Sequence, residues 1–376
     1  MGSETKQRIV VKIGSSLLTD EDGRLSLEKL RGHVAAISRA KEAGHAVLLV
    51  TSAAIAAGFE KLGFSKRPKT VVQKQACAAV GQGLLMQAYA EAFSEKNIVV
   101  AQVLLTKRDM AIRESYNNAM NTLEFLLDRG VVPIINQNDT TAIEEISFGD
   151  NDSLAARVAA LLHADLCMIF TDTAGLYDSD PTQNSDARKI PYVEKITPEI
   201  LALASSSKSG VGTGGMRSKI LAAEVAISMG TNVFVGDGRD IEDDMKILKI
   251  LERNGAGTYF GAPQHGQMQR KKQWIALHSD VQGTLVIDDG AVEALTKSGH
   301  SLLVVGVVDV FGDFEEGAVL EVRDLKGRLV GKGVVNYAAD LLRKIVRKED
   351  AAAISQGETL TEVIHRDDWV QNENEA

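Results

Sequence analysis

The chain has 376 residues, of which 44% are hydrophobic and 25% charged, a balance that can bury full cores and excludes a wholly disordered protein. At ~150 residues per domain, this length suits two domains. Forty-two Lys and Arg against 51 Asp and Glu leave a net charge of −9, which argues against a globally basic nucleic-acid binder, and no run approaches the ~18 consecutive apolar residues of a membrane span.

Alternating strand and helix patterns fill the first ~260 residues. Ile9–Ile13 reads as a strand ending at Gly14, and Ser26–Ala43 as a helix stopped by Gly44. Val47–Val50 is a strand leading into Thr51-Ser52, and Thr70–Glu91 a long Ala/Gln-rich helix. Strand Val99–Leu105, helix Glu114–Asp128 and strand Val131–Ile135 follow, the last running into Asn136-Gln137-Asn138-Asp139. Helix Asp152–His163, strand Leu166–Phe170 ending in Thr171-Asp172, helix Met216–Met229 and strand Asn232–Val235 complete the series. Val/Ile-rich strands between helices imply an α/β fold, an open and mostly parallel sheet with helices on both faces. Polar residues gather just after the strands, the edge where such sheets bind ligands.

The rhythm changes after Gly261. Residues 262–272 read as a polar linker between a domain at 1–261 and a β-rich module at 273–376. In that module Leu285–Ile287, Leu302–Val305, Ala318–Val322 and Leu329–Val335 are expected as short strands, separated by Asp288-Asp289-Gly290, Phe311-Gly312-Asp313 and Lys326-Gly327. From residue 271 onward there are twelve Lys or Arg and nineteen Asp or Glu, a balance of −7. Phosphate contact favours basic surfaces, so RNA binding is not expected here; Arg343-Lys344 with Arg347-Lys348 reads as a solvated helix face.

Cys77 and Cys167 sit among apolar neighbours and read as small buried hydrophobes without metal spacing. The segment Met1 to Lys6 lacks the apolar region of a secretory signal and misses the myristoylation pattern. A reducing, cytoplasmic compartment is the expectation. Gly210 to Gly215 fits G-x-G-x-x-G but follows no strand, as the dinucleotide pattern requires. His365-Arg366-Asp367 mimics a protein-kinase catalytic loop with no Asp-Phe-Gly after it.

Four features carry chemistry. Lys12 ends an apolar strand and precedes the turn at Gly14; an ammonium there must be paired or solvated. Ser52 to Gly58 places small residues after a strand, where backbone N–H groups can meet an anion. Asn136 and Asp139, with Asp150, Asn151 and Asp152 at a helix start, exceed what capping needs and suit an α-amino group or the fixing of lysines. Gly210 to Lys219 is a glycine-rich loop running into a helix with a lysine one turn in, a cradle for phosphates. Phosphoryl transfer needs such parts, because its transition state spreads charge over non-bridging oxygens.

At these residues the chain resembles the glutamate 5-kinases of the amino acid kinase family, which carry a carboxy-terminal PUA domain. Val11-Lys12-Ile13-Gly14, Thr51-Ser52, Asn136 to Asp139, Phe148 to Asp152, Thr171-Asp172 to Tyr177 with Asp180-Pro181, and Thr213-Gly214-Gly215-Met216-Arg217-Ser218-Lys219 occur in order. Asp288 to Ala291 and Gly299 to Leu303 resemble the PUA module. The resemblance implies a three-layer kinase fold and ATP-dependent phosphorylation of the glutamate γ-carboxylate, the first step towards proline. By position, it implies that Lys12 and Lys219 stabilise the moving phosphoryl group and Asp152 holds them. Ser52, Asn136, Asp139, Asp150 and Asn151 would bind glutamate. Lys12, Gly14, Thr171, Asp172 and Thr213 to Lys219 would bind ATP, with Mg²⁺ on its phosphates and no protein metal site. Proline feedback inhibition, a homo-oligomer and hand-off to glutamyl phosphate reductase are also implied. The family commonly has Gly at Ala53 and Glu at Gln137; an Ala needing positive φ would be strained. The alternatives are a kinase of this fold acting on aspartate or N-acetylglutamate, or RNA binding through the tail module.

Overall fold

The computed structural model describes residues 6–141, 151–205, 215–261, 275, 279–347 and 362–372. It comprises two compact units, Met1–Asp109 with Asn117–Gln267, and Met110–Tyr116 with Met268–Ala376. The expected linker at 262–272 lies outside the described residues.

The first unit holds eight strands: β1 Arg8–Ile13, β2 Ala46–Val50, β3 Val100–Leu105, β4 Val132–Gln137, β5 Leu166–Thr171, β6 Tyr192–Val193, β7 Asn232–Asp237 and β8 Gly257–Phe260. They form one sheet in the order β3-β4-β2-β1-β5-β7-β8-β6. All neighbours are parallel except β7 and β8, which are antiparallel. Nothing in the β8 sequence announces that reversal. β1 lies between β2 and β5, so the chain winds to one side of β1 and then crosses to the other. Such a switch point opens a crevice at the carboxyl ends of the strands.

Both faces of β1 are buried: Ile9, Val10, Val11 and Ile13 are fully so. Ile9, Val11 and Ile13 share a core with Leu30, Val34 and Ile37 of helix α1 (Leu27–Glu42) and with Leu85 and Tyr89 of α3 (Val71–Ser94). Strand alternation gives Lys12 the opposite face. Ser26 caps α1 by accepting from the Lys29 N–H at 3.3 Å, and Thr70 caps α3 through the Gln73 N–H at 3.4 Å. The intervening α2 (Ala54–Gly58) crosses α3 where both helices carry glycine: a Cβ on Gly81 would collide with the Ala54 carbonyl oxygen. α4 (Lys107–Ala111) and α5 (Arg113–Asp128) follow β3. α6 (Asn151–Leu161) lies against β1, β5 and α8 (Met216–Ser228); α7 is Pro198–Ser205 and α9 Lys246–Leu251. Cys77 and Cys167 are buried free thiols, and burial pushes Cys167 up to about 12.

The second unit is a five-stranded sheet in the order β10-β9-β11-β12-β13, from β9 Val281–Ile287, β10 Val307–Gly312, β11 Val319–Arg323, β12 Leu329–Val334 and β13 Trp369–Gln371. Three expectations are corrected. Leu302–Val305 is not a strand: Leu302 makes an isolated bridge to Ile364, Val304–Gly306 is a 3-10 turn, and the strand is β10. Asp288-Asp289-Gly290 is not a spacer: the Asp288 carboxylate accepts from the Ala291 N–H at 2.7 Å and starts α10 (Asp289–Thr296). Arg343 on α11 (Ala339–Val346) is not simply a solvated cation, since its guanidinium donates to the Gly312 carbonyl and to Asp340 Oδ1 at 3.1 Å. Among the described residues no helix is long and apolar enough to cross a membrane.

Two backbone positions give predictions of opposite sign. Ala53, the N-cap of α2, has φ 80° and ψ 13°, where an L-residue forfeits about 1–2 kcal/mol and glycine's entropy takes back up to about 1 kcal/mol. Ala53→Gly should therefore raise stability by up to about 1 kcal/mol. Gly81→Ala should lower it by about 3 kcal/mol through the collision with α2. Urea unfolding of both variants against wild type checks the two signs.

Candidate active site

Three buried charges meet at the switch point. Lys12 is the penultimate residue of β1, in register with Val50 of β2 and Ile169 of β5. Asp152 stands in the first turn of α6 and Lys219 in the first turn of α8. Lys12 Nζ is 2.6 Å from Asp152 Oδ1, and Lys219 Nζ is 3.1 Å from Asp152 Oδ2. Lys12, Asp152 and Lys219 are 6%, 3% and 5% exposed, so these are desolvated ion pairs. Ser218 Oγ lies 3.2 Å from Asp152 Oδ2 and donates to the Gly215 carbonyl at 2.8 Å.

Burial alone would push the Asp152 carboxyl up; the two ammonium groups beside it outweigh this and hold it down to about 2. The carboxylate is thus ionised at neutral pH, and two cations share one anion. Gly14, extended at φ −73° and ψ 159°, begins the turn after β1; a Cβ there would stand 3.4 Å from Lys12 Nζ.

A second cluster consists of amides. Asn151 opens α6, and its Nδ2 donates to the Thr51 carbonyl at 2.7 Å, to Ser52 Oγ at 2.9 Å and to Asn136 Oδ1 at 3.1 Å. Its Oδ1 is buried with no hydrogen-bond partner among the described residues. An orphaned buried acceptor is costly unless a donor arrives with the ligand. Asn136 sits at the end of β4 and Ser52 just beyond β2, so the sheet edge gathers Ser52, Asn136 and Asn151 beside the charges. Asp139 lies two residues past β4 and lines a neighbouring cavity of about 320 Å³ with Gln82, Gln102, Gln137 and Thr140.

Thr171 ends β5 and Asp172 follows it, with Thr171 Oγ1 donating to Asp172 Oδ1 at 3.1 Å. Gly215 is the N-cap of α8, followed by Met216, Arg217 and Ser218 in its first turn; Arg217 is exposed and turns no charge toward Asp152 in any contact observed. Asp150, Thr213 and Gly214 lie outside the described residues. Sequence reasoning missed Gln82 on α3, which accepts from Asn136 Nδ2 at 2.9 Å, and Tyr89, whose hydroxyl is 2.8 Å from Thr51 Oγ1. Only their helical spacing, seven apart, hints that both face the sheet.

Comparison with known proteins identifies the family. The amino acid kinase family is matched over residues 7–237, and the PUA domain over residues 283–355. A glutamate 5-kinase of Bacillus cereus (strain ATCC 10987 / NRS 248) is 51% identical over 97% of this chain and 99% of its own length. Glutamate 5-kinase 1 of Bacillus subtilis (strain 168) is 48% identical over 97% of this chain and 98% of its own. With that identity sustained across both units, the chain belongs to the glutamate 5-kinase branch of the amino acid kinase family.

Proposed function

We propose that this chain transfers the γ-phosphoryl group of ATP to the γ-carboxylate of L-glutamate, giving glutamyl 5-phosphate, the first step towards proline. The observation that carries the reading is the pair of buried ammonium groups on opposite oxygens of Asp152. A carboxylate oxygen of glutamate attacks the γ-phosphorus, the bond to the β-phosphate oxygen breaks, and ADP leaves with that electron pair. No proton need move. Both reactants are anions, so the first task is to offset their repulsion. Lys12 and Lys219 would do this as the negative charge spreads over the non-bridging oxygens. Asp152 would keep the two ammonium groups together where the phosphoryl group passes.

Asn151 Oδ1 would accept from the α-ammonium of glutamate. Ser52, Asn136, Asp139 and Asp150 would complete that subsite. Gly14, Thr171, Asp172 and the stretch from Thr213 to Lys219 would bind ATP. Mg²⁺ fits as an ion carried on the nucleotide, since the donors gathered here are ammonium and amide groups that suit phosphate oxygens; when bound it would neutralise phosphate charge. Proline as feedback inhibitor, self-association, hand-off to glutamyl phosphate reductase and a cytoplasmic location accompany the family reading. The PUA unit is read as regulatory or assembling; its net charge of −7 and the internal bonds of Arg343 disfavour RNA.

Three outcomes test the roles. Lys12→Ala and Lys219→Ala should each lower kcat by roughly 10²–10³ with circular dichroism unchanged; wild-type rates in both would end the assignment. Asn151→Ala and Asp139→Ala should mainly raise the glutamate KM, which a coupled acyl-phosphate assay across glutamate, aspartate and N-acetylglutamate would read together with substrate preference. Asp152→Asn should be about 3 kcal/mol less stable than wild type at pH 6, because it strands two buried cations. The Asp152 carboxyl titrates lower when folded than unfolded, so its stabilisation is full above about pH 4 and lost as pH falls towards 2. The gap between the two proteins in urea unfolding should therefore narrow below pH 4.

A further inference from the structure

Four carboxamides form a chain from the rim of the sheet to the amine subsite. Gln82 Nε2 on α3 donates to Gln102 Oε1 on β3 at 3.1 Å, Asn136 Nδ2 donates to Gln82 Oε1 at 2.9 Å, and Asn151 Nδ2 donates to Asn136 Oδ1 at 3.1 Å. A carboxamide has two ends of nearly equal size, so its partners decide which way it points. Two backbone groups fix the sense of this chain. The Thr51 carbonyl can only accept, and it takes Asn151 Nδ2 at 2.7 Å. The Gln137 N–H can only donate, and it gives to Asn136 Oδ1 at 2.9 Å. Asn136 must then show its nitrogen on the far side, where Gln82 supplies the acceptor. Were that acceptor missing, Asn136 (2% exposed) would hold an unpaired N–H₂, and rotating to satisfy it would withdraw the oxygen that Asn151 uses.

We propose that Gln82 is a positioning residue for substrate selection: acting through Asn136, it holds the Asn151 carboxamide with its oxygen turned into the site, so that the site takes an ammonium donor and discriminates against dicarboxylates that lack one. The inference rests on the reading of glutamate as substrate. Gln82 lines the cavity beside Asp139, and the role assigned to it here acts through its bond from Asn136. Gln102 is exposed and can turn its amide to suit a changed neighbour, so the outermost bond is dispensable while the bond from Asn136 to Gln82 is not.

Two substitutions separate this role from packing. Gln82→Met keeps the size and removes the acceptor. Gln82→Glu keeps an acceptor toward Asn136 and changes the charge. The quantity to measure is the ratio of the Ki of glutarate, which has both carboxylates and no amine, to the KM of glutamate. Gln82→Met should lower this ratio by about tenfold through the glutamate KM, with kcat and the ATP KM within about threefold of wild type. Gln82→Glu should restore it to within about threefold. A packing role predicts the reverse order, with Met tolerated and Glu harmful, and that result would overturn the proposal. Crystal structures of both variants decide the chain of bonds independently of substrate identity: the Asn151–Asn136 contact should persist in Gln82→Glu and exceed 3.5 Å in Gln82→Met. If wild type proved inactive on glutamate while the structures behaved so, the functional reading would fail and the positioning role would stand; an unbroken contact in Gln82→Met would sink the positioning role whatever the substrate.

Discussion

Everything at the site depends on a single carboxylate serving two cations. Two ammonium groups buried side by side repel each other strongly in a medium of low dielectric constant. Asp152 offsets that repulsion by accepting one on each oxygen, and the mutual stabilisation shows in how far its own protonation is suppressed. Two ammonium groups are thereby held side by side in a place from which water is largely excluded. A phosphoryl group passing between two anions needs such an environment, prepared before the reactants arrive.

The fold supplies the three charges from well-separated pieces of chain, and its topology explains how. Lys12 rides on the central strand, while Asp152 and Lys219 begin helices that lie against each other and against that part of the sheet. Helix starts are apt places for Asp152, since unpaired N–H groups and the helix dipole favour an anion there. Lys219 has no such help; its presence in a first turn is unfavourable by the same dipole, and Asp152 offsets that. The amide cluster shows a complementary logic. Its members are uncharged and their order of donation is set by backbone groups, so it leaves the charge balance alongside undisturbed.

Much of this was legible in the sequence. The strand–helix rhythm gave the parallel sheet, and lone polar residues at strand ends marked the active edge, because an apolar strand that ends in lysine has few structural excuses. Ala53 stands where the resembled family commonly has Gly, which marked it as a position needing unusual backbone, and it does adopt positive φ. Other features left no local trace. The antiparallel pairing of β8 with the preceding strand β7 and the bridge from Leu302 to Ile364 are set by tertiary partners, not by local pattern. Asp288 was read as a spacer because a capping aspartate and a turn aspartate look alike without the helix that follows. Gln82 was invisible for another reason: in a helix rich in Ala and Gln nothing distinguishes the one glutamine whose carbonyl receives a buried asparagine.

The central place of β1 has a bearing on how the protein is made. Residues 8–13 are made well before one of their two flanking strands, β5, residues 166–171. At about 5–20 residues per second, roughly 7–30 s pass before the aspartate that neutralises Lys12 has even been synthesised. Throughout that interval a strand with four fully buried apolar residues lacks one of its neighbours, a state in which nascent chains are prone to misassociate. The arrangement that gives the enzyme its central cation thus also makes its first strand the one most dependent on protection during translation.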